Sequence, residues 1–360
     1  MLNRLKTLLG GTKPTPADAL LVNAYSTLTT LPAIDFPHQV QGQRDLGDPE
    51  LKPHLDGFIG YVLSRGDGQM TRTRYHLMRH LQRVQQHVSL SISAADHAAF
   101  SRWAEQANAV AFMEDGSVRD PQGRILLNGA GQQDVEAQVP YPQSAWQRKA
   151  RSEFLLAEHG IRVASSLPPL VSEPELQLRP AAEVAGRVMA LLAVAARAES
   201  LNDPNSKPLT IDALRQRLAP AFSYLSPREQ AYLQDDAPEE KATIQMVWRY
   251  ESLALLEWAL GLLPELPFPT GICDVPQVAR NVLDIASEDW PAKVQLRPAA
   301  EILDALDLHY RLHWIKREAE LGRQALPDGL VPGVILERHY ALNWLVRFEN
   351  ADWDEVDTPS

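Results

Sequence analysis

Thr243-Ile-Gln-Met-Val-Trp-Arg-Tyr-Glu-Ser-Leu-Ala-Leu-Leu-Glu-Trp-Ala-Leu-Gly-Leu-Leu263 is apolar on nearly every side of a helix. Such a segment belongs in the middle of a helical core. It is not a membrane span. Its longest run with few charges, residues 253–263, contains Glu257 and stops at Pro264, short of the roughly 18 uninterrupted apolar residues a span needs. Three charges, Arg249, Glu251 and Glu257, lie in this otherwise apolar helix. A buried charge is expensive unless it is paired. Partners must therefore come from other helices, and Glu183, Arg187, Glu337, Arg338 and His339 are the candidates.

Outward from this segment, everything after Ser144 reads as helices, at 144–159, 179–200, 210–218, 226–234, 238–263, 275–287, 297–321 and 332–349. Pro180 and Pro298 fall in first turns, where the missing N–H has no intrahelical partner to lose. Leu178-Arg-Pro-Ala-Ala-Glu183 recurs word for word at Leu296-Arg-Pro-Ala-Ala-Glu301. The likeness fades after the glutamates, so the repeat reads as two helices that begin alike.

The first 140 residues have a different rhythm. Residues 20–28 suit a strand, a Pro- and Asp-rich loop follows to about 56, and 58–63 is a short apolar strand between glycines. Residues 71–87 read as a helix capped by Thr71. Val88, Leu90 and Ile92 alternate with Ser89 and Ser91 as in a half-buried strand, and Ser93 caps a helix over 94–107. Residues 109–113 and 125–127 are strands around Asp115-Gly116 and Asp120-Pro121-Gln122-Gly123 turns. The expected class is α+β. An α/β domain over 1–140, with a mixed or antiparallel sheet and helices on one face, precedes a larger, mainly helical domain over 141–360. Residues 128–143, polar and rich in Gly, Gln and Pro, read as the linker.

Charge is distributed unevenly. Residues 1–150 hold 15 Lys/Arg against 14 Asp/Glu, whereas 151–360 hold 20 against 32. An acidic surface repels phosphate backbones, which argues against nucleic acid and for a basic protein partner. The single cysteine, Cys273, cannot form an internal disulfide, and residues 1–11 are too short and too interrupted by Arg4 and Lys6 for a secretory segment. The chain reads as cytoplasmic, with no membrane partner, and its oligomeric state is left open.

Several separated motifs carry a resemblance. They are Leu178-Arg179-Pro180 with Glu183 and Arg187, Trp248-Arg249-Tyr250-Glu251 running into Trp258-Ala259-Leu260-Gly261, Pro267-Phe268-Pro269, Cys273-Asp274-Val275, and Arg338-His339-Tyr340-Ala341-Leu342-Asn343-Trp344-Leu345. Together, over about residues 144–350, the chain resembles a family of mostly bacterial proteins catalogued as domain of unknown function 4272. The resemblance implies a domain boundary near 144 and an N-terminal extension such as some members carry. It implies no activity.

Three polar groupings are candidates for function. On the 71–87 helix, Arg72, His76, Arg79 and Arg83, with His80 and His87, fall opposite Leu77, Met78, Leu81 and Val84. This basic stripe is either a solvated face, a surface for an acidic ligand, or a docking face for the acidic domain. His309 and His313 share a helical face at i, i+4, but Tyr310 stands where a His-Glu-x-x-His motif needs its glutamate, so no metal ligand is assigned. The charges of the central helix form either an interhelical ion-pair network or a polar pocket with a shifted carboxylate, whose binding residues would be Arg187, Arg249, Glu251, Glu257, Arg338, His339 and Asn343. No phosphate loop, dinucleotide fingerprint or nucleophile elbow occurs, so no cofactor is expected. Asp274 beside Cys273 disfavours a thiolate, which makes the cysteine a packing residue. The reading is a non-enzymatic interaction protein, one form of which is the immunity type, that binds a basic partner through its acidic helical domain. The alternative is an enzyme or small-molecule binder using a pocket around Arg249, Glu251, Arg338 and His339.

Overall fold

The computed structural model describes residues 19–205, 207–285, 289–290, 293–327 and 329–360. The reading of residues 1–11, and the end of the 275–287 helix, lie outside the described residues. The chain divides into two compact units, residues 1–142 and 143–360.

The first unit is an antiparallel sheet in the order β2-β3-β1-β4-β5-β6. Its strands are β1 (Ala19–Ser26), β2 (Gln39–Asp45), β3 (Gln86–Ser93), β4 (Ala109–Met113), β5 (Val118–Arg119) and β6 (Ile125–Leu127). Helices α1 (Leu51–Leu63) and α2 (Arg72–Leu81) cover one face, where Leu55, Phe58, Leu77 and Leu81 meet Tyr25 and Val110. Helix α3 (His97–Gln106) covers the other, with Phe100 and Trp103 against Val22, Ala24, Val88 and Leu90. Helices therefore lie on both faces, not one. The reason is visible in β4, where Ala109-Val110-Ala111-Phe112 is apolar at both parities and needs two covers.

Three local expectations are corrected. Residues 58–63 are the second half of α1, not a strand. Leu51, Leu55, Phe58 and Val62 make a helical stripe, and the exposed glycines at 57 and 60 interrupt nothing. Part of the presumed loop is β2, a polar edge strand whose pairing with β3 shifts between Val40 and Gly42. The 71–87 helix ends at Leu81, although Thr71 does cap it by accepting from the Arg74 N–H at 3.2 Å.

That ending changes the basic stripe. Arg72 is exposed, Arg83 is half-buried, and His76 and Arg79 are buried. The stripe is not a solvated face, because the presumed linker lies over it. Ala137, Val139 and Tyr141 are buried, Tyr141 stands edge-on to His76 at 5.8 Å, and the Arg83 guanidinium lies 4.8 Å above its ring. His80 is fully buried beneath the same segment, and burial first, then Arg83, push its pKa down to about 3. It is a neutral core histidine.

The second unit is built from α4 (Gln143–Glu158), α5 (Ala181–Asn202), α6 (Ile211–Arg217), α7 (Pro227–Gln234), α8 (Glu240–Ala259), α9 (Val275–Ile285), α10 (Ala299–Gly322) and α11 (Pro332–Leu345). Helix α8 is central and packs on α5 and α11. Two glycines permit close approach. A Cβ at Gly186 of α5 would sit 2.3 Å from the Tyr224 ring, and one at Gly333 of α11 would sit 2.6 Å from the Trp248 ring. Helix α11 ends earlier than its spacing suggests, because Arg347, Glu349 and Asn350 adopt positive φ. No helix among the described residues is long and apolar enough to cross a membrane.

The repeated Leu-Arg-Pro-Ala-Ala-Glu segments do the same work twice. Pro180 and Pro298 are N-cap residues of α5 and α10, just outside the first turn. The preceding arginine pairs with the glutamate four residues on, Arg179 with Glu183 at 2.6 Å and Arg297 with Glu301 at 3.0 Å. Each arginine also clamps the C-terminus of a different helix. Arg179 donates to the Trp344 carbonyl at the end of α11, and Arg297 to the Trp258 carbonyl at the end of α8. Each guanidinium lies over that tryptophan's ring, at 4.5 and 5.2 Å. A cation at the last carbonyls of a helix satisfies orphan acceptors and opposes the negative end of the macrodipole.

Candidate functional site

Where α8 crosses α11, the charges of the central helix find their partners. Glu251 is 2% exposed and accepts from the Cys273 N–H at 2.6 Å through Oε1. Its Oε2 accepts from Nε and Nη2 of Arg338, also 2% exposed, at 3.3 and 3.2 Å. The remaining Arg338 nitrogen, Nη1, donates to the Pro267 carbonyl at 2.6 Å. Each charged atom thus has company, the condition under which a buried pair is tolerated.

Two residues earlier on α8 the polarity is reversed. Arg249 of α8 donates to Glu337 of α11 at 3.0 Å, and Ser252 adds a 2.6 Å bond to the same carboxylate oxygen. The Arg249 guanidinium lies 4.8 Å above the Tyr340 ring and 5.5 Å from that of Trp353. Arg187 does not join the α8 carboxylates. It pairs with Glu229 of α7, which also closes a capping box with Ser226, and its guanidinium lies 4.9 Å from the Trp353 ring. Trp353 therefore meets two arginines, and its indole N–H has no partner among the described residues.

The other sequence-derived residues lie apart from this crossing. His339 meets His313, Nδ1 to Nδ1, at 2.9 Å, and Asn343 donates to the Asp357 carbonyl at 2.9 Å. His309 donates from Nδ1 to Ala305 of its own helix at 2.8 Å, and Asp307 is held by Arg311 at 2.8 Å. The two α10 histidines thus point to different partners. Burial pushes His309 down to about 3 with help from Arg338, and His313 down to about 4 with help from Lys316 and Arg317. Among the described residues no three His, Cys, Asp or Glu side chains gather as a metal site would require. The Cys273 thiol is pushed up by burial and then by Glu251, so the relevant carboxylate is Glu251 and not the neighbouring Asp274.

Glu257 stands alone. It is fully buried and accepts from Asn281 Nδ2 at 2.8 Å, and among the described residues its other oxygen has no partner. Burial pushes its pKa up to about 8, so it carries a proton at neutral pH. The unfolded chain releases that proton near 4.5 and the folded chain near 8. This group's contribution to stability is complete below 4.5 and lost as pH rises through 8, by an amount on the order of a few kcal/mol. Glu257→Gln should therefore melt higher than the wild type at pH 9 and close to it at pH 5. Parallel thermal melts that show no pH-dependent gap would mean that Glu257 is ionised in the fold.

Glu229, Trp353 and the Pro267 carbonyl escaped the sequence reading. The Ser226-Pro-Arg-Glu229 capping box was a readable signal for the first, whereas Trp353 sits too far along the chain to signal its place. With this geometry in view, comparison with known proteins gives one positive finding. The model of the family described as domain of unknown function (DUF4272) matches residues 148–356. The chain belongs to that family. The DUF4272 region spans most of the second unit and takes in the α8–α11 crossing, both arginine clamps and Trp353. Nothing among curated proteins, and nothing among solved structures, matches the chain.

Chemically, the crossing is closed. Both oxygens of the Glu251 carboxylate and all three nitrogens of the Arg338 guanidinium are engaged within the crossing. The network acts as a set of struts between helices.

Proposed function

We propose that this is a non-enzymatic interaction protein whose acidic helical unit binds a basic partner protein in the cytoplasm. One concrete form is an immunity-type protein that neutralises a basic bacterial toxin. The observation that carries this reading is where the helical unit puts its charges. Residues 143–360 contain 22 Lys/Arg and 32 Asp/Glu. Seven of the bases are buried, Arg148, Lys149, Arg179, Arg187, Arg197, Arg311 and Arg338, against five of the acids. Among the described residues of this unit, 20 acids and 11 bases are exposed. The interior absorbs positive charge and leaves the surface more acidic than the sequence alone. One concentrated stretch is Asp235, Asp236, Glu239 and Glu240, all exposed. Such a field steers basic partners and repels nucleic acid and other anions. The pairing of Arg249 with Glu337 and of Glu251 with Arg338 favours this reading over a substrate pocket among them.

The test uses poly-lysine and poly-glutamate against the full chain. Poly-lysine should bind at about 50 mM salt and weaken at least tenfold by about 300 mM, where the screening length is shorter. Poly-glutamate should not bind. Changing Asp235, Asp236, Glu239 and Glu240 to lysine should weaken poly-lysine binding. Absence of binding at low salt, or binding indifferent to salt, would remove the electrostatic basis of the proposal.

A further inference from the structure

The sheet of the first unit carries a polar cluster that neither the basic stripe nor the helical unit explains. Register places Arg44 of β2, His87 of β3 and Tyr25 of β1 in one row across the strands, and Gly42, Ser89 and Asn23 in the next row on the same face. Helix α1 brings His54 down onto this face. The His54 ring stacks on Tyr25 with centroids 5.7 Å apart and planes 11° apart, and lies 4.7 Å from His87. Tyr25 and His87 are buried, whereas His54, Arg44, Asn23, Ser89 and Gly42 are half-buried and reachable.

The hydrogen bonds fix who donates. His87 bonds the Asn23 amide oxygen through Nε2 at 3.2 Å and receives Arg44 Nη1 on Nδ1 at 3.4 Å, which defines a neutral ring protonated at Nε2. The Tyr25 hydroxyl meets His54 Nε2 at 2.9 Å. With that nitrogen accepting, the His54 proton is on Nδ1. Both ring acceptors, His54 Nε2 and His87 Nδ1, are then taken, and unmatched donors remain. The Nδ1–H of His54, the Nη2 of Arg44, the amide nitrogen of Asn23 and the Ser89 hydroxyl have no partner among the described residues. Above Gly42 there is open space, since an added Cβ would meet nothing within 4 Å. Among the described residues, the carboxylate paired with Arg44 is Asp48, at a loose 3.8 Å.

A half-open patch with one guanidinium, two imidazoles and several unmatched donors asks for a ligand that only accepts. We propose that Arg44, His54, Asn23 and Ser89 form a binding site for a small oxyanion, a phosphate monoester or a carboxylate, on the sheet face of the first unit. This inference is independent of the interaction reading, which concerns the other unit.

Proton linkage gives the site a signature. In the empty site, burial and then Arg44 hold His54 below its ordinary value, and burial, His54 and Arg44 hold His87 down to about 4. The charged groups facing His54 from the sheet are Arg44, with Asp48 behind it, and the neutral His87 and Tyr25. A bound anion favours the charged imidazole, so binding takes up a proton and tightens as pH falls from 7.5 toward 6.

The experiment is calorimetric titration of the full chain with phenyl phosphate, inorganic phosphate and acetate at both pH values. Saturable binding that is tighter at pH 6, and at least tenfold weaker in both Arg44→Gln and His54→Gln, supports the site. Ser89→Ala, which perturbs no packing partner, should weaken it by a smaller factor, and circular dichroism confirms that the variants are folded. Preference for the phosphates or for acetate identifies the headgroup. No saturable heat with any of the three, or affinity unchanged in Arg44→Gln and His54→Gln, overturns the proposal.

Discussion

Arg338→Met is expected to destabilise the protein by about 3–5 kcal/mol, because it strands a buried carboxylate. Glu251 would keep the Cys273 N–H but lose both guanidinium bonds, and the Pro267 carbonyl would lose its donor. Removing both charges together tells strut from site. In Glu251→Gln with Arg338→Met, no ion is left buried, and most of the lost stability should return, since isosteric apolar replacements of whole buried pairs are often neutral. Urea unfolding of the wild type, the two single variants and the double variant measures the coupling. A single variant within about 1 kcal/mol of wild type would mean that water already reaches the pair.

Trp353→Ala should be of similar size, about 3–5 kcal/mol, the range for deleting a large buried aromatic ring. Trp353 is 4% exposed and stands edge-on to Tyr340 at 5.1 Å and to Trp344 at 5.2 Å. The Arg187 and Arg249 guanidinium groups both lie against its ring, so its loss also removes two cation–π contacts. Trp353→Phe keeps a ring against both and should recover more than half of the loss. Thermal melts at matched salt would decide. If Trp353→Ala melts with the wild type, the C-terminal segment is not part of the cooperative fold.

Much of this was legible in the sequence, and what was not has physical reasons. The helices of the second unit follow from caps and period, and two of the three charges inside residues 243–263, Arg249 and Glu251, have the ionic partners that burial required, whereas Glu257 is neutralised by a proton. Which pairs form was not readable. Both Glu337 and Arg338 were candidates, but the angle at which α8 crosses α11 decides that Arg249 takes the first and Glu251 the second. Arg187 and Glu257 went elsewhere, to Glu229 and Asn281, because helical phase turns them toward α7 and α9. In the first unit, glycines 57 and 60 hid the period of α1, and with it His54. An edge strand as polar as β2 gives no apolar alternation to read, so Arg44 looked like a loop residue. The oxyanion patch is therefore made of residues whose elements were the hardest to see.

The two arginine clamps constrain how the chain reaches its final state. Arg179, near the start of the helical unit, donates to carbonyls of residues 344, 345 and 351. During synthesis, α5 emerges more than a hundred residues before its anchor exists. Contacts of such long sequence separation form slowly, after much loop entropy has been lost. The nascent unit must therefore wait, with apolar faces uncovered, until almost the last turn of α11 has left the ribosome. A ribosome stalled before residue 345 would hold an incompletely anchored bundle, which makes this stretch of translation the one in which a chaperone matters most.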